Sequence, residues 1–262
     1  MTYPPFELIH PDGGLDILLL CDHASNVVPD GYGTLGLPVT EFHRHIAYDI
    51  GTAPLVRDVS RRLCCPALLG TSSRLLIDLN RGVDDPTIVM KLSDGSIIPG
   101  NADVDLYRNE PEFQRRVALF HQPYHDAVAA QIARVRALGR VPVIVSVHSF
   151  TPSWRGVARP WEVGVLWDLD DRLARPMMAA FEAEGFVVGD NLPYIGFLKN
   201  DTLYRHGTAQ GLPHVLLEIR QDLIDTEAKQ QVWAARLEKM LPLLVAREGV
   251  QEVRFFGSRT DK

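Results

Sequence analysis

Short aliphatic runs, each ended by a polar island, alternate along this chain with stretches of helical periodicity. Residues 15–21 are apolar apart from Asp16 and predict a buried strand. Residues 26–40 carry Pro29, Gly31, Gly33, Gly36 and Pro38 and predict a loop. Across 41–63, Ile46, Ile50, Leu55, Val59 and Leu63 recur at helical spacing, with Arg61 and Arg62 at the end where the helix dipole favours cations; Pro54 predicts a kink in it. Strands are expected at 66–69 and 74–79, then a long loop over 82–102 with a hairpin pairing 88–92 with 97–98. The pattern over 109–138 is helical with a break at Pro123, and 142–147 is the clearest buried strand. Further strands are expected at 164–167, 186–188 and 213–219, and helices at 171–184 and 225–247. Strands alternating with helices predict a three-layer α/β/α fold with a mostly parallel mixed sheet covered on both faces. No repeat, low-complexity tract or linker divides the chain, so one domain over 1–262 is expected.

Composition narrows the function classes. The chain is 46% hydrophobic and 23% charged, with a formal charge of -6, which argues against non-specific nucleic-acid binding. No apolar run reaches the roughly 18 residues of a membrane span, and the first ten residues lack a signal-peptide pattern, so no membrane partner and a cytoplasmic location are expected. Cys21, Cys64 and Cys65 make no disulfide framework and read as reduced thiols. Nothing in the pattern decides between a monomer and a homo-oligomer.

Candidate chemistry gathers in four polar islands, at 21–26, 77–81, 146–150 and 217–222, each at or near the end of an apolar run. Strand ends of open α/β sheets line the binding crevice. His23 and His148 are candidate zinc ligands there, and a third ligand could come from Asn26, His45 or Asp49. Asp49 is favoured because it is anionic and completes a set of two imidazoles and one carboxylate. Glu218, emerging from an apolar strand, is placed to act as general base toward a water activated by the metal. Arg74, Arg81 and Arg220 offer guanidiniums that match carboxylates bidentately, and one could polarise a scissile carbonyl. Asp78 is expected to orient a ligand or an arginine, and His206, in a polar loop, to reach the pocket. His121 and His125 are four apart and read as a polar helix face. There is no Gly-x-Ser-x-Gly elbow, no P-loop and no Gly-x-Gly-x-x-Gly.

In order and spacing, these islands resemble the N-formylglutamate amidohydrolase family: Asp22-His23-Ala24-Ser25-Asn26, His45 through Asp49 to Gly51, Ser73-Arg74 through Asp78-Leu79-Asn80-Arg81, His148-Ser149-Phe150-Thr151-Pro152, and Glu218 through Leu223. The likeness runs from about residue 15 to about 245. It implies a phosphorylase/hydrolase-like fold, similar to zinc carboxypeptidases and aspartoacylases, and zinc-dependent hydrolysis of a small anionic N-acyl amino acid, with one zinc per chain. It implies His23 and His148 as metal ligands, Glu218 as base, Asn80 and Arg81 on the substrate carboxylate, and Arg74 on the acyl oxygen. The chain departs from the broader group's His-x-x-Glu by having Asn26 in place of the glutamate, so Asp49 is expected to supply the carboxylate. The alternatives are hydrolysis of another N-acyl amino acid, or binding of an anionic metabolite without turnover.

Overall fold

The computed structural model describes residues 3–261. In chain order its elements are β1 (Phe6–Ile9), β2 (Ile17–Cys21), α1 (Thr52–Leu63), β3 (Ala67–Gly70), β4 (Leu92–Ser93), β5 (Ser96–Ile97), α2 (Glu110–Arg116), α3 (Gln122–Ala137), β6 (Val143–Phe150), β7 (Ser153–Trp154), β8 (Val157–Ala158), β9 (Val163–Leu166), α4 (Ala174–Ala183), β10 (Val188–Asp190), α5 (Thr202–His206), β11 (His214–Arg220) and α6 (Glu227–Val245). Seven strands form one mixed sheet in the order β1-β3-β2-β6-β11-β9-β10. The four central strands, β3, β2, β6 and β11, are parallel to one another, while β1 on β3 and β9 on β11 are antiparallel.

Strand periodicity explains the three layers. Alternate side chains of β2 point to opposite faces. Ile17, Leu19 and Cys21 pack with Leu55, Val56 and Val59 of α1 and with Trp233, Leu237 and Leu241 of α6. Leu18 and Leu20 pack with Tyr124, Val128 and Ile132 of α3 and with Leu203 of α5. Both faces of the central strands are thus covered, which is why β2 and β6 are buried at every position. Each such aliphatic contributes about 1.5–3 kcal/mol through burial.

Three local expectations need correction. The helix expected over 41–63 begins only at Thr52, after a short 3-10 turn over Val39–His43. Gly51, at φ 85°, supplies the turn into it, and a Cβ there would lie 2.2 Å from the Ile224 carbonyl. Pro54 therefore falls in the first helical turn, where a missing N–H costs no bond, and produces no kink. The strand expected at 74–79 is a run of tight turns: Leu75, Leu76 and Ile77 are buried, but in an apolar cluster with Phe42, Ile46, Ile88 and Phe120 instead of in the sheet. An apolar run signals burial and does not specify strand pairing. The break expected at Pro123 is a π-helical turn over Val117–His121 that joins α2 to α3 without ending the helix.

The expected hairpin is a short β4–β5 pair, and a second hairpin, β7–β8, was not anticipated. Asp94-Gly95 and Arg155-Gly156 have positive φ at both turn positions, as two-residue hairpin turns require. Edge strand β1 also escaped the pattern analysis. Among the described residues, no helix is long and apolar enough to cross a membrane.

Candidate active site

The chain leaves β2 for β3 on one side and later returns to β6 on the other. This switch point opens a crevice at the strand C-termini. His23 follows β2 by two residues, His148 lies near the end of β6, and the sheet register sets Glu218 of β11 beside His148. Asp49 arrives from the segment before α1 and is pinned there, its N–H donating to the His23 carbonyl at 2.9 Å. Arg74 is fixed through its own backbone, whose N–H donates to the Ala47 carbonyl at 3.2 Å.

These side chains converge. Nδ1 of His148 lies 2.8 Å and Nδ1 of His23 3.3 Å from Asp49 Oδ2. The far nitrogen of each ring meets another carboxylate: His23 Nε2 is 2.7 Å from Asp78 Oδ1, and His148 Nε2 is 3.0 Å from Asp22 Oδ2. Arg74 donates to Asp78 Oδ2 at 3.0 Å and to Asp49 Oδ1 at 3.4 Å. Thr202 Oγ1 and Ser146 Oγ donate to the two oxygens of Asp22 at 3.0 and 3.2 Å. Glu218, only 6% exposed, keeps its Oε2 without any partner.

The electrostatics follow from burial and from this crowding. Burial works against the charged form of Asp49, but the imidazoles of His23 and His148 outweigh it and hold the carboxyl far below its ordinary range. The same contest, won by hydrogen bonding and charge from His148, leaves Asp22 at about 2. Burial opposes charge on His148, yet its bonds to Asp22 and Asp49 raise it well above the usual value. At Glu218 burial wins and lifts the carboxyl to about 7, with the charge of His148 pulling the other way.

The donor set fits a divalent cation. One donor atom from each of His23, Asp49 and His148 lies within 4.8 Å of the others, and all three residues are buried. Two imidazoles and a carboxylate beside an open cavity are a donor set of the kind that holds a divalent metal ion. Histidines that hold a metal ion usually give their other N–H to a carboxylate, and Asp78 and Asp22 stand in that position beside His23 and His148. Asn26 instead donates to the Phe42 carbonyl at 2.8 Å, and His45 packs on Trp154, so neither joins the cluster.

A cavity of about 460 Å³ opens over the cluster, lined by His23, Asp49, His148, Glu218, Arg74, Asn80 and Arg81 among others. Arg220 and His206 do not line it. The Arg220 guanidinium is held bidentately by Asp222 at 2.7 and 3.1 Å, because the chain turns into a 3-10 helix directly after β11 and brings Asp222 alongside. His206 ends α5, is 2% exposed, and lies 2.9 Å from His125 Nδ1. His121 and His125 are likewise buried beneath the 79–81 segment and form no exposed polar face.

Sequence reasoning missed three residues. Asp22 stood inside a recognised island, but only the fold turns it onto His148. Asp201 lines the cavity, and burial lifts its carboxyl to about 7. Arg159 stacks on Phe150, Trp154 and Tyr194, donates to Thr151 Oγ1 at 3.1 Å and Tyr194 Oη at 3.2 Å, and among the described residues has no acidic partner.

The buried imidazoles make a stability prediction. Burial first, then the Arg205 charge, pushes His206 down to about 4. The unfolded chain takes up this proton near pH 6.5, so stability is complete above that value and declines toward pH 4, by about 3 kcal/mol for this residue. His206→Gln, which keeps an N–H donor, is expected to flatten the decline; urea midpoints between pH 4 and 7 that fall equally in both proteins would contradict it.

The model of the N-formylglutamate amidohydrolase family matches residues 15–225. The chain belongs to this family. Its fold is shared by a gene product of Agrobacterium tumefaciens, with 36% identity and a TM-score of 0.86 over 92% of this chain and 94% of that one. An N-formylglutamate amidohydrolase from Ralstonia eutropha also shares the fold, with 21% identity and a TM-score of 0.62 over 92% of this chain and 95% of that one. None of the curated proteins compared matches the chain. Family membership fits the wall of the cavity, where the polar islands of the N-formylglutamate amidohydrolase pattern meet, from His23 to Glu218, 195 positions apart in sequence.

Proposed function

We propose that this protein is a metal-dependent amidohydrolase that removes a formyl or other short acyl group from an acidic amino acid such as N-formylglutamate. The carrying observation is the buried His23-Asp49-His148 cluster beside the unpartnered carboxyl oxygen of Glu218. His23, Asp49 and His148 would hold the ion. When bound, a divalent cation acts as a Lewis acid on a carbonyl and makes a water more acidic.

The chain's own groups divide the remaining work. Glu218 Oε2 takes the proton of the attacking water and passes it to the leaving amine nitrogen. A carboxyl lifted by burial is suited to hold and release a proton near neutrality. Arg74, braced by Asp78 and Asp49, has N–H groups to spare for the acyl oxygen. Asn80 and Arg81 grip the α-carboxylate; the Arg81 guanidinium otherwise donates to the Asn80 carbonyl at 3.1 Å and faces Asp85 at 3.7 Å, which leaves it N–H groups for the substrate. Arg159, without an acidic partner among the described residues and with four of its contacts in the cavity wall, fits a second carboxylate on the substrate.

The test compares chelator-stripped with zinc-reloaded protein for amine release from N-formylglutamate and for bound zinc. Turnover that returns with about one zinc per chain supports the reading. Stripped protein that turns over at the full rate defeats its metal dependence, and absence of turnover on any N-formyl or N-acetyl acidic amino acid defeats its activity. A second expected outcome concerns the side chain: Arg159→Gln raises KM for N-formylglutamate about tenfold and leaves N-formylglutamine unaffected, since loss of a charge-assisted contact is worth roughly 1.5–3 kcal/mol. Equal losses on both substrates would assign Arg159 to shaping the wall.

A further inference from the structure

Asn80 and Arg81 do not extend from a strand, and their backbone is fixed from beneath by imidazoles. His125 Nε2 lies 3.0 Å from the carbonyl of Leu79, and His121 Nε2 lies 2.8 Å from the carbonyl of Arg81. These are the carbonyls of the two residues that flank Asn80. A carbonyl only accepts, so both Nε2 atoms carry the hydrogen. A neutral His125 then has a bare Nδ1, which accepts from His206 Nε2–H at 2.9 Å. Burial, the largest cause for each, keeps all three rings below the ordinary histidine range and so neutral.

The arrangement is not what core packing alone would select. Nδ1 of His121 and Nδ1 of His206 are buried without partners. Their neighbours on the same layer, Val128 and Ile132, fill it with aliphatic side chains. The segment is tied on its other sides as well. Asn80 N–H donates to Asp78 Oδ1 at 2.8 Å, the oxygen that faces His23, and Thr202 N–H donates to Asn80 Oδ1 at 3.3 Å. One short stretch therefore carries a partner of the metal-site histidine at residue 78 and the carboxylate-binding pair at 80 and 81.

We propose that His121 and His125, backed by His206, are positioning residues that clamp the Leu79 and Arg81 carbonyls and thereby hold the Asn80-Arg81 grip in register with the metal cluster. They set how tightly the substrate's α-carboxylate is bound without touching it. This rests on the reading of Asn80 and Arg81 as the carboxylate grip.

The experiment measures kcat and KM for His121→Leu, His125→Leu, His121→Gln and His125→Gln on N-formylglutamate and on its α-amide, which lacks the gripped carboxylate. Glutamine keeps an N–H donor for the carbonyl, and leucine does not. Each leucine variant is expected to raise KM for the acid about tenfold with kcat within about twofold, to leave the α-amide unchanged, and to be restored by glutamine. Leucine variants that match the wild type, or that lose both substrates in parallel, overturn the clamp. Failure of the amidohydrolase reading shows separately, as wild-type protein that turns over neither substrate. The clamp is then read from amide hydrogen exchange of the peptide spanning 79–82: about tenfold faster exchange in the leucine variants and not in the glutamine variants sustains it, and unchanged exchange overturns it.

Discussion

Glu218→Gln is expected to lower kcat on N-formylglutamate by about 10²–10⁴-fold, the usual contribution of a positioned general base, with KM nearly unchanged. The amide keeps the shape of the side chain but cannot take up the proton. The acid limb of the wild-type kcat/KM profile, which rises as Glu218 loses its proton, should disappear with it. Stability should move the opposite way in the metal-free protein. A carboxyl raised to about 7 in the fold, from about 4.5 in the unfolded chain, contributes fully only below the lower value, and its contribution is lost as pH climbs through the higher one. Above neutral pH the glutamine variant should therefore resist urea better than the wild type. Full activity in Glu218→Gln would remove this residue from the mechanism. A coupled loss of activity and of folded protein would assign it to the core.

Asp49→Ala should have the second large effect. Asp49 Oδ2 is the atom that both Nδ1 nitrogens face, so its removal takes the only anionic donor from the cluster. Metal affinity should fall by more than the roughly 10–100-fold that loss of an outer partner costs, and activity should fall in parallel. His45→Ala and Asn26→Ala should keep their zinc, because neither side chain reaches the cluster. Zinc retained by Asp49→Ala and lost by His45→Ala would reverse the ligand assignment. Asp49→Ala also leaves His148 and Arg74 with one acid fewer, and its folding should be checked by urea unfolding alongside.

The protein also illustrates how a site can be supported from behind. Asp22, Asp78, Thr202 and the three imidazoles of His121, His125 and His206 hold the cluster and the 79–81 segment, yet none of them is in the lining of the cavity. Outer partners of this kind orient ligands and raise their basicity. Substitutions at these positions are expected to change affinity or rate without changing which substrate is accepted.

Much was legible in the sequence because it is written in local patterns. The buried runs at β2, β6 and β11, the helices α4 and α6, and the α/β class follow from periodicity, and His23, His148 and Glu218 could be singled out because each stands at or near the end of such a run. The likeness of the ordered islands to the N-formylglutamate amidohydrolase family needed no coordinates. Tertiary structure alone decided the rest, because it depends on distances between segments far apart in the chain. It brought Asp49 onto both imidazoles, turned Asp22 onto His148 across 126 positions, gave Arg220 to Asp222, and set His206 against His125 instead of in the cavity. It also laid Leu75, Leu76 and Ile77 into a turn-rich cluster, since hydrophobicity specifies that a residue is buried and only the packed neighbours specify against what.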